Sequence, residues 1–263
     1  MIVFAAIVPH SPLLIPTIGK EHRDKLAATL AACKEIEQAL YLAQPDCIVI
    51  VAPHGTRYPD AFSANLAASY VGNLKAFGDF STTIDAKSDA LMMDRLQRKL
   101  RMEGVPFTLT SNEEIDYGYT IPLLLLASKL NTRKIVPISP SNADGSAHLE
   151  FGKQLKRVLH AETERVAFIA SGDLSHHVND ASPSGATAEG KAFDEAIRAG
   201  IGAHDAASLL ALNSTVIEQS GQCAYRPIMT LLGLLQDQNV TSKILSYEAP
   251  FGVGYLTALY DCA

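Results

Sequence analysis

The 263-residue chain has no tryptophan and only four cysteines, Cys33, Cys47, Cys223 and Cys262, with no CxxC pair among them. That spacing excludes a disulfide framework and a zinc ribbon, so the thiols are expected to be reduced and any metal site has to draw on histidine. Basic residues are also scarce: 22 Lys and Arg face 28 Asp and Glu, for a net charge of -6. A clustered cationic surface for nucleic acid or an anionic membrane is therefore absent, and a small molecule or a protein is the expected partner. No apolar run approaches the roughly 20 residues of a membrane helix. The apolar N-terminus meets Pro9, Pro12 and Pro16 and carries no basic flank of the secretory type, which makes a cytoplasmic protein the expectation. Linkers, long charge runs and internal repeats are missing too, so the 48% hydrophobic content is expected in one domain, 1–263.

What the sequence does contain is a recurring strand ending. The apolar run 2–8 stops at Pro9-His10-Ser11-Pro12, and the β-branched run 48–51 stops at Pro53-His54-Gly55. Two strands that end alike, each delivering one histidine, can bring both rings to one edge of a sheet. Between them, 20–44 has helical spacing, which makes a βαβ unit with strand 47–52. Beyond it the pattern predicts short strands within 61–85, a helix over 87–104, a strand over 107–110 and a buried helix over 120–130. Strands in "KIVPISPS" and "VAFIASGDLSHH" break into loops at 140–145 and 171–179. Helices over 190–199, 203–212 and 226–235 and strands near 243–247 and 254–260 complete the reading. The fold class is α/β, with a central, largely parallel or mixed sheet covered by helices on both faces. Ligands of such sheets sit beyond the carboxyl ends of the strands, which is where His10, His54 and "SGDLSHH" fall.

Each histidine also has a structural reading as a hydrogen-bonded loop residue. His176 and His177 follow Asp173, whose carboxylate can cap a turn or orient an imidazole, and Ser171 and Gly172 leave room for close backbone approach. His22, His148, His160 and His204 lie in helix-like or polar contexts and are expected to be solvated.

Taken together, "IVPHSPLLIP", "VAPHG", "IDYGYTIPL", "SGDLSHH" followed by "EGKAFD", "GQCAYRP" and "SYEAPFGVGYL" resemble the LigB-type superfamily of class III extradiol ring-cleavage dioxygenases. They are most similar to its Memo-like branch. The resemblance implies an α/β core and a non-haem metal, Fe(II) in true dioxygenases, that takes a catecholic or aminophenolic ring and O₂. It places His10 and His54 as metal ligands, His176 as the acid/base and His177 as a weaker candidate at the pocket mouth. It also implies a functional link to AMMECR1-type and radical-SAM proteins, and a homodimer is compatible with it.

Two positions depart from the dioxygenase pattern. The ligand carboxylate falls on Cys223, whose thiolate favours zinc or copper; Glu218 and Glu248 remain alternative oxygen donors, Glu248 being equally suited to pinning a loop, and Gln222 is a poorer one. Tyr117 stands where dioxygenases commonly have histidine; a phenol can donate a hydrogen bond to a substrate oxygen but does not shuttle protons at neutral pH. Three functions remain open: an extradiol-type dioxygenase, a Memo-like metal-binding, redox or scaffold protein without ring cleavage, and a metal-dependent hydrolase.

Overall fold

The computed structural model describes residues 1–130 and 134–262. In chain order it runs β1 (Ile2–Val8), α1 (Pro16–Gly19), α2 (Ala27–Ala43), β2 (Cys47–Val51), β3 (Phe62–Asn65), β4 (Ser69–Leu74), β5 (Asp79–Ser88) and α3 (Ala90–Met102). It continues through β6 (Phe107–Thr110), β7 (Glu114–Ile115), α4 (Tyr117–Leu126), β8 (Lys134–Ser139), α5 (Gly145–His160) and β9 (Val166–Ser171). The last third is α6 (Ala188–Gly202), α7 (Ala206–Leu210), α8 (Ser214–Gln219), α9 (Tyr225–Leu235), β10 (Thr241–Glu248) and β11 (Tyr255–Asp261).

The described strands form one mixed sheet of eleven, ordered β10-β11-β1-β9-β2-β8-β5-β4-β7, with β3 on β8 and β6 on β3. Its centre, β1-β9-β2-β8, is parallel, and β11 and β10 close one side antiparallel. The central strands are near-continuous β-branched and aliphatic runs because both of their faces are covered. One face packs on α2 and α4 through Cys33, Ile36, Leu40, Leu123 and Leu126. The other packs on α3, α5, α6 and α9, with Phe151, Leu155, Ile197, Ile228 and Leu231 in its core.

Register sets the functional edge. Val8 of β1 lies level with Ser171 of β9, and Val51 of β2 with Ala170 of β9 and Ile138 of β8. Four parallel strands thus finish together, and the loops that leave them start from one line.

The α/β reading with a mixed, two-sided sheet is what the structure shows. Boundaries differ where local chemistry intervenes. Residues 20–26 of the expected first helix are 3₁₀, and regular α-helix starts at Ala27. The buried helix expected over 120–130 begins earlier, because Asp116 caps it by accepting from the Gly118 N–H at 2.7 Å, and it ends at Leu126. The helix expected over 203–212 is confined to α7, where Asp205 caps the turn.

Three helices, α1, α5 and α8, have no counterpart in the sequence reading; α5 is the longest of them, and Asp144 caps it by accepting from the Ala147 N–H at 2.9 Å. With it comes a correction for His148, which is buried rather than solvated. Its Nδ1 donates to the Asp144 carbonyl at 2.7 Å, its ring meets Phe62 edge-on at 5.0 Å, and its Nε2 has no partner among the described residues. His160, His204 and His22 are exposed, His22 with its ring edge-on to Phe251 at 5.5 Å. Among the described residues, no helix is long and apolar enough to cross a membrane.

Burial pushes the His148 pKa down to about 4. The native state therefore holds the neutral ring, a stabilisation complete above the unfolded value of about 6.5 and lost as pH falls toward about 4. This separation is worth about 3 kcal/mol at most. In urea titrations, the stability gap between wild type and His148→Gln is expected to shift against wild type by about 2–3 kcal/mol between pH 7 and pH 4.5. A gap that stays constant with pH would remove His148 from the acid response.

Candidate metal centre

His10 lies two residues beyond β1 and His54 three beyond β2, and the two loops curl over the end of the intervening β9. The rings converge there, with His54 Nε2 3.1 Å from His10 Nε2 and their centroids 4.9 Å apart. Cys223, just before α9, brings its Sγ to 3.4 Å from His10 Nε2. Donor atoms of these three residues all lie within 4.8 Å of one another.

The position of Cys223 follows from close backbone packing. A Cβ on Gly172 would stand 2.5 Å from the Ala224 Cα, so only glycine lets the end of β9 approach the start of α9 this closely. In that gap the Asp173 N–H donates to the Cys223 Sγ at 3.2 Å, and the Asp173 carbonyl accepts from the Cys223 and Ala224 N–H groups at 3.2 and 3.1 Å. Gly221, at φ +65°, makes the turn that delivers the cysteine. Burial, with the Asp173 carboxylate adding to it, pushes the thiol's pKa up. A bound cation is therefore what would convert it to thiolate.

His10 is oriented by a chain of bonds that begins in α4. Pro122 lies inside that helix and has no N–H, so the carbonyl four residues back, that of Gly118, lacks its helical donor. The Ser171 hydroxyl takes the place by donating to the Gly118 carbonyl at 2.6 Å. Its one proton is thereby committed, so at 3.0 Å its oxygen can only accept, and the donor is His10 Nδ1–H. The Nε2 lone pair is left facing His54 and Cys223, the tautomer a metal requires. Burial, followed by the neighbouring His54 and His176, lowers the His10 pKa well below the ordinary value and keeps the ring neutral.

Asp173 does not orient an imidazole. Buried, it accepts the His10 backbone N–H at 3.0 Å, and desolvation raises its pKa to about 7. The alternative donors lie elsewhere. Glu248 accepts the Thr29 N–H at 2.7 Å, Gln222 accepts the Tyr225 N–H at 2.8 Å, and Glu218 is exposed on α8.

Tyr117 forms one wall, stacked on His54 at 4.7 Å and edge-on to His10 at 5.4 Å, with Phe77 against its outer edge. His176 is exposed at the mouth, and its charge would be felt at His10, just as that of His54 is felt at His176. Desolvation, then His177 and His54, lowers the His176 pKa, so the ring is neutral at pH 7. His177 points to the neighbouring turn, donating from Nδ1 to the Gly185 carbonyl at 3.1 Å. A cavity of about 330 Å³ opens beside His54, lined mainly by polar groups including Asn65, Asn112, Asp116 and Ser139.

Two participants lie outside the sequence reading. Asp194 accepts the Ser175 N–H and the Tyr247 hydroxyl, both at 2.8 Å, and so braces the His176 loop. Ser171 stands out in the sequence only for its small size, and nothing local links it to Pro122.

The donor set fits a metal ion. Two nitrogens at about 2.0–2.1 Å from a tetrahedral ion lie roughly 3.3 Å from each other, close to the spacing found here. Two imidazoles and a thiolate suit zinc or copper by softness, whereas Fe(II) sites that activate O₂ commonly use a carboxylate as the third ligand.

Residues 4–258 match the family model described as the catalytic LigB subunit of aromatic ring-opening dioxygenase. Protein CA_C1420 of Clostridium acetobutylicum is 26% identical over 258 residues, 95% of this chain and 55% of that protein, so the chain spans about half the length of that relative. The crystal structure of the uncharacterized protein JW3007 from Escherichia coli K12 superposes with a TM-score of 0.67 over 98% of this chain and 99% of that one. At 18% identity this likeness establishes a shared fold.

Zinc titration of metal-free protein separates these contributions. Cys223→Ser is expected to lower affinity strongly, while Glu218→Ala and Glu248→Ala leave it unaltered. Ser171→Ala, which removes the acceptor for His10 Nδ1–H, is expected to weaken binding by about 10- to 100-fold. Unaltered affinity in Cys223→Ser would remove the thiolate from the site.

Proposed function

The chain belongs to the family of the catalytic LigB subunit of aromatic ring-opening dioxygenases, and from that premise we propose a metal-dependent enzyme of the extradiol type. Its substrates are a small catecholic or aminophenolic ring and O₂, and its metal is held by His10, His54 and Cys223. The observation that carries this reading is the 3.1 Å approach of the two Nε2 atoms, with Cys223 beside them, at the carboxyl edge of the parallel strands. Once bound there, the metal would supply Lewis acidity and open coordination positions to the ring oxygens.

The chain's own residues supply the rest. His10, locked as the Nδ1–H tautomer by Ser171, keeps its lone pair on the centre. His176, neutral at pH 7, takes a proton from a ring hydroxyl as the substrate settles and returns it as the ring opens. Tyr117 stays protonated, because burial and the nearby Asp116, Cys223 and Asp173 push its pKa up. It offers a hydrogen-bond donor to a substrate oxygen and an aromatic face against which the ring can lie. His177, held by the Gly185 carbonyl, supports the mouth of the site.

A second reading is favoured by one observation, the thiol of Cys223 in place of a carboxylate. A zinc- or copper-loaded centre would serve Memo-like binding or redox functions, or hydrolysis, without ring opening. Metal analysis of protein purified without added metal, followed by anaerobic addition of catechol, distinguishes the two. Iron with a catechol-dependent colour change supports ring opening, and zinc or copper without it supports the second reading.

His176→Ala is expected to retain metal and catechol binding and to lose turnover by about 10²- to 10⁴-fold. Turnover near wild type in a variant that still binds metal would show that His176 only braces its loop. Because the His176 pKa lies below the ordinary value of about 6.5, the wild-type acid limb should fall below that pH and vanish in the variant.

A further inference from the structure

The segment from Asp173 to His177 and the turn that delivers Cys223 are joined at both ends. At one end the Asp173 carbonyl accepts from the Cys223 and Ala224 N–H groups. At the other the Ser220 carbonyl accepts the His176 N–H and the Ser175 hydroxyl, both at 2.9 Å, while the Ser175 oxygen accepts the His177 N–H at 2.9 Å. Gly221 follows so closely that a Cβ there would stand 2.9 Å from His177 Nε2 and 3.5 Å from the His176 Cβ. The two turns are therefore one packed body, with His176 on one side and Cys223 on the other.

Asp194 of α6 fastens this body to the rest of the fold. One of its oxygens accepts the Ser175 N–H and the other the Tyr247 hydroxyl from β10, both at 2.8 Å. Gly254 makes room for it, since a Cβ there would stand 2.0 Å from the oxygen that Tyr247 reaches. Gly254 also grips the same turn, its N–H donating to the Ser175 carbonyl and its carbonyl accepting the Leu174 N–H, both at 2.8 Å. Arg198, one turn further along α6, lies over the Tyr247 ring at 4.4 Å. Asp194 is only 2% exposed, and burial raises its pKa to about 6 against the pull of its two donors and of Arg198. A buried carboxylate is a costly way to fill space, and this one spends each oxygen on a donor from a different element.

We propose that Asp194 is a positioning residue for the metal centre: by holding the Ser175 N–H it sets both the approach of His176 and the reach of Cys223. Tyr247 aims the carboxylate, and Arg198 steadies Tyr247. This inference rests on the metal-binding reading of His10, His54 and Cys223 and is independent of ring opening.

The test uses cobalt(II), whose absorption reports its bond to a thiolate, on Asp194→Ala, Asp194→Asn and Tyr247→Phe. Asparagine keeps an acceptor for the Ser175 N–H, and its amide can donate to the Tyr247 oxygen. Cobalt affinity is expected to fall about tenfold in Asp194→Ala, with a weakened thiolate-to-cobalt band, and to return to within about threefold of wild type in Asp194→Asn. On metal-free protein, the rate at which diethyl pyrocarbonate modifies His176, followed by peptide mass mapping, should rise about threefold or more in Asp194→Ala and stay near wild type in Asp194→Asn. Tyr247→Phe should change both readouts in the same direction by a smaller factor. Wild-type affinity, spectrum and His176 rate in Asp194→Ala, with only its resistance to urea lowered, overturn the proposal, because a purely structural residue gives that result. Equal losses in the alanine and asparagine variants also overturn it, since charge rather than a placed acceptor would then matter. If Asp194→Ala does not fold, Tyr247→Phe decides alone, and wild-type values in it overturn the proposal. Absence of cobalt binding by wild type refutes the metal reading instead, and the His176 rates still decide on Asp194.

Discussion

A proline inside a helix determines how the candidate metal centre is aimed. By withholding one N–H, Pro122 leaves the Gly118 carbonyl open to the Ser171 hydroxyl, and that commitment turns Ser171 into an acceptor for His10. The ring would otherwise be free to present either nitrogen. A defect of this kind weakens a helix, yet here the lost backbone bond is replaced by a side chain from the neighbouring strand. The replacement couples α4 to β9 and β9 to the first histidine, so three elements far apart in sequence set one tautomer.

The second constraint is the level finish of the parallel strands. With Val8, Val51 and Ser171 close to one line, the loops beyond them need only two or three residues to bring His10, His54 and Asp173 over the sheet edge. Asp173 uses its carboxylate on the main chain of His10 and its backbone on Cys223. The centre is thereby held through main-chain bonds, leaving the imidazoles and the thiol free to face one another.

Electrostatically the site is built from groups that burial keeps neutral. His10 is held uncharged by desolvation, Cys223 is held as thiol, and Asp173 is displaced to about 7. A cation entering such a site meets no proton on His10 Nε2 and can take the thiolate as it forms. Softness of the thiolate and the family's ring-opening chemistry pull in different directions, and it is the third donor, Cys223, on which they differ.

The α/β class, most strands and the pairing of His10 with His54 could be read in the sequence, because β-branched runs that end in Pro-His are local patterns and parallel strands place their ends together. Cys223 was readable as a third donor only through family resemblance, since nothing within its own segment points at His10. Helix α5 escaped because its apolar positions are interrupted by Lys153, Gln154, Lys156 and Arg157, and His148 looked solvated for want of the neighbours that bury it. The sequence by itself determined which residues can bind a metal and which strands deliver them, since side-chain chemistry and alternation are properties of short segments. Only the tertiary structure decided that Ser171 reads the gap left by Pro122 and that Glu248 is occupied by Thr29. Each of these depends on the distance between segments far apart in the chain, 53 residues for Gly118 and Ser171 and 219 for Thr29 and Glu248, which local composition does not encode.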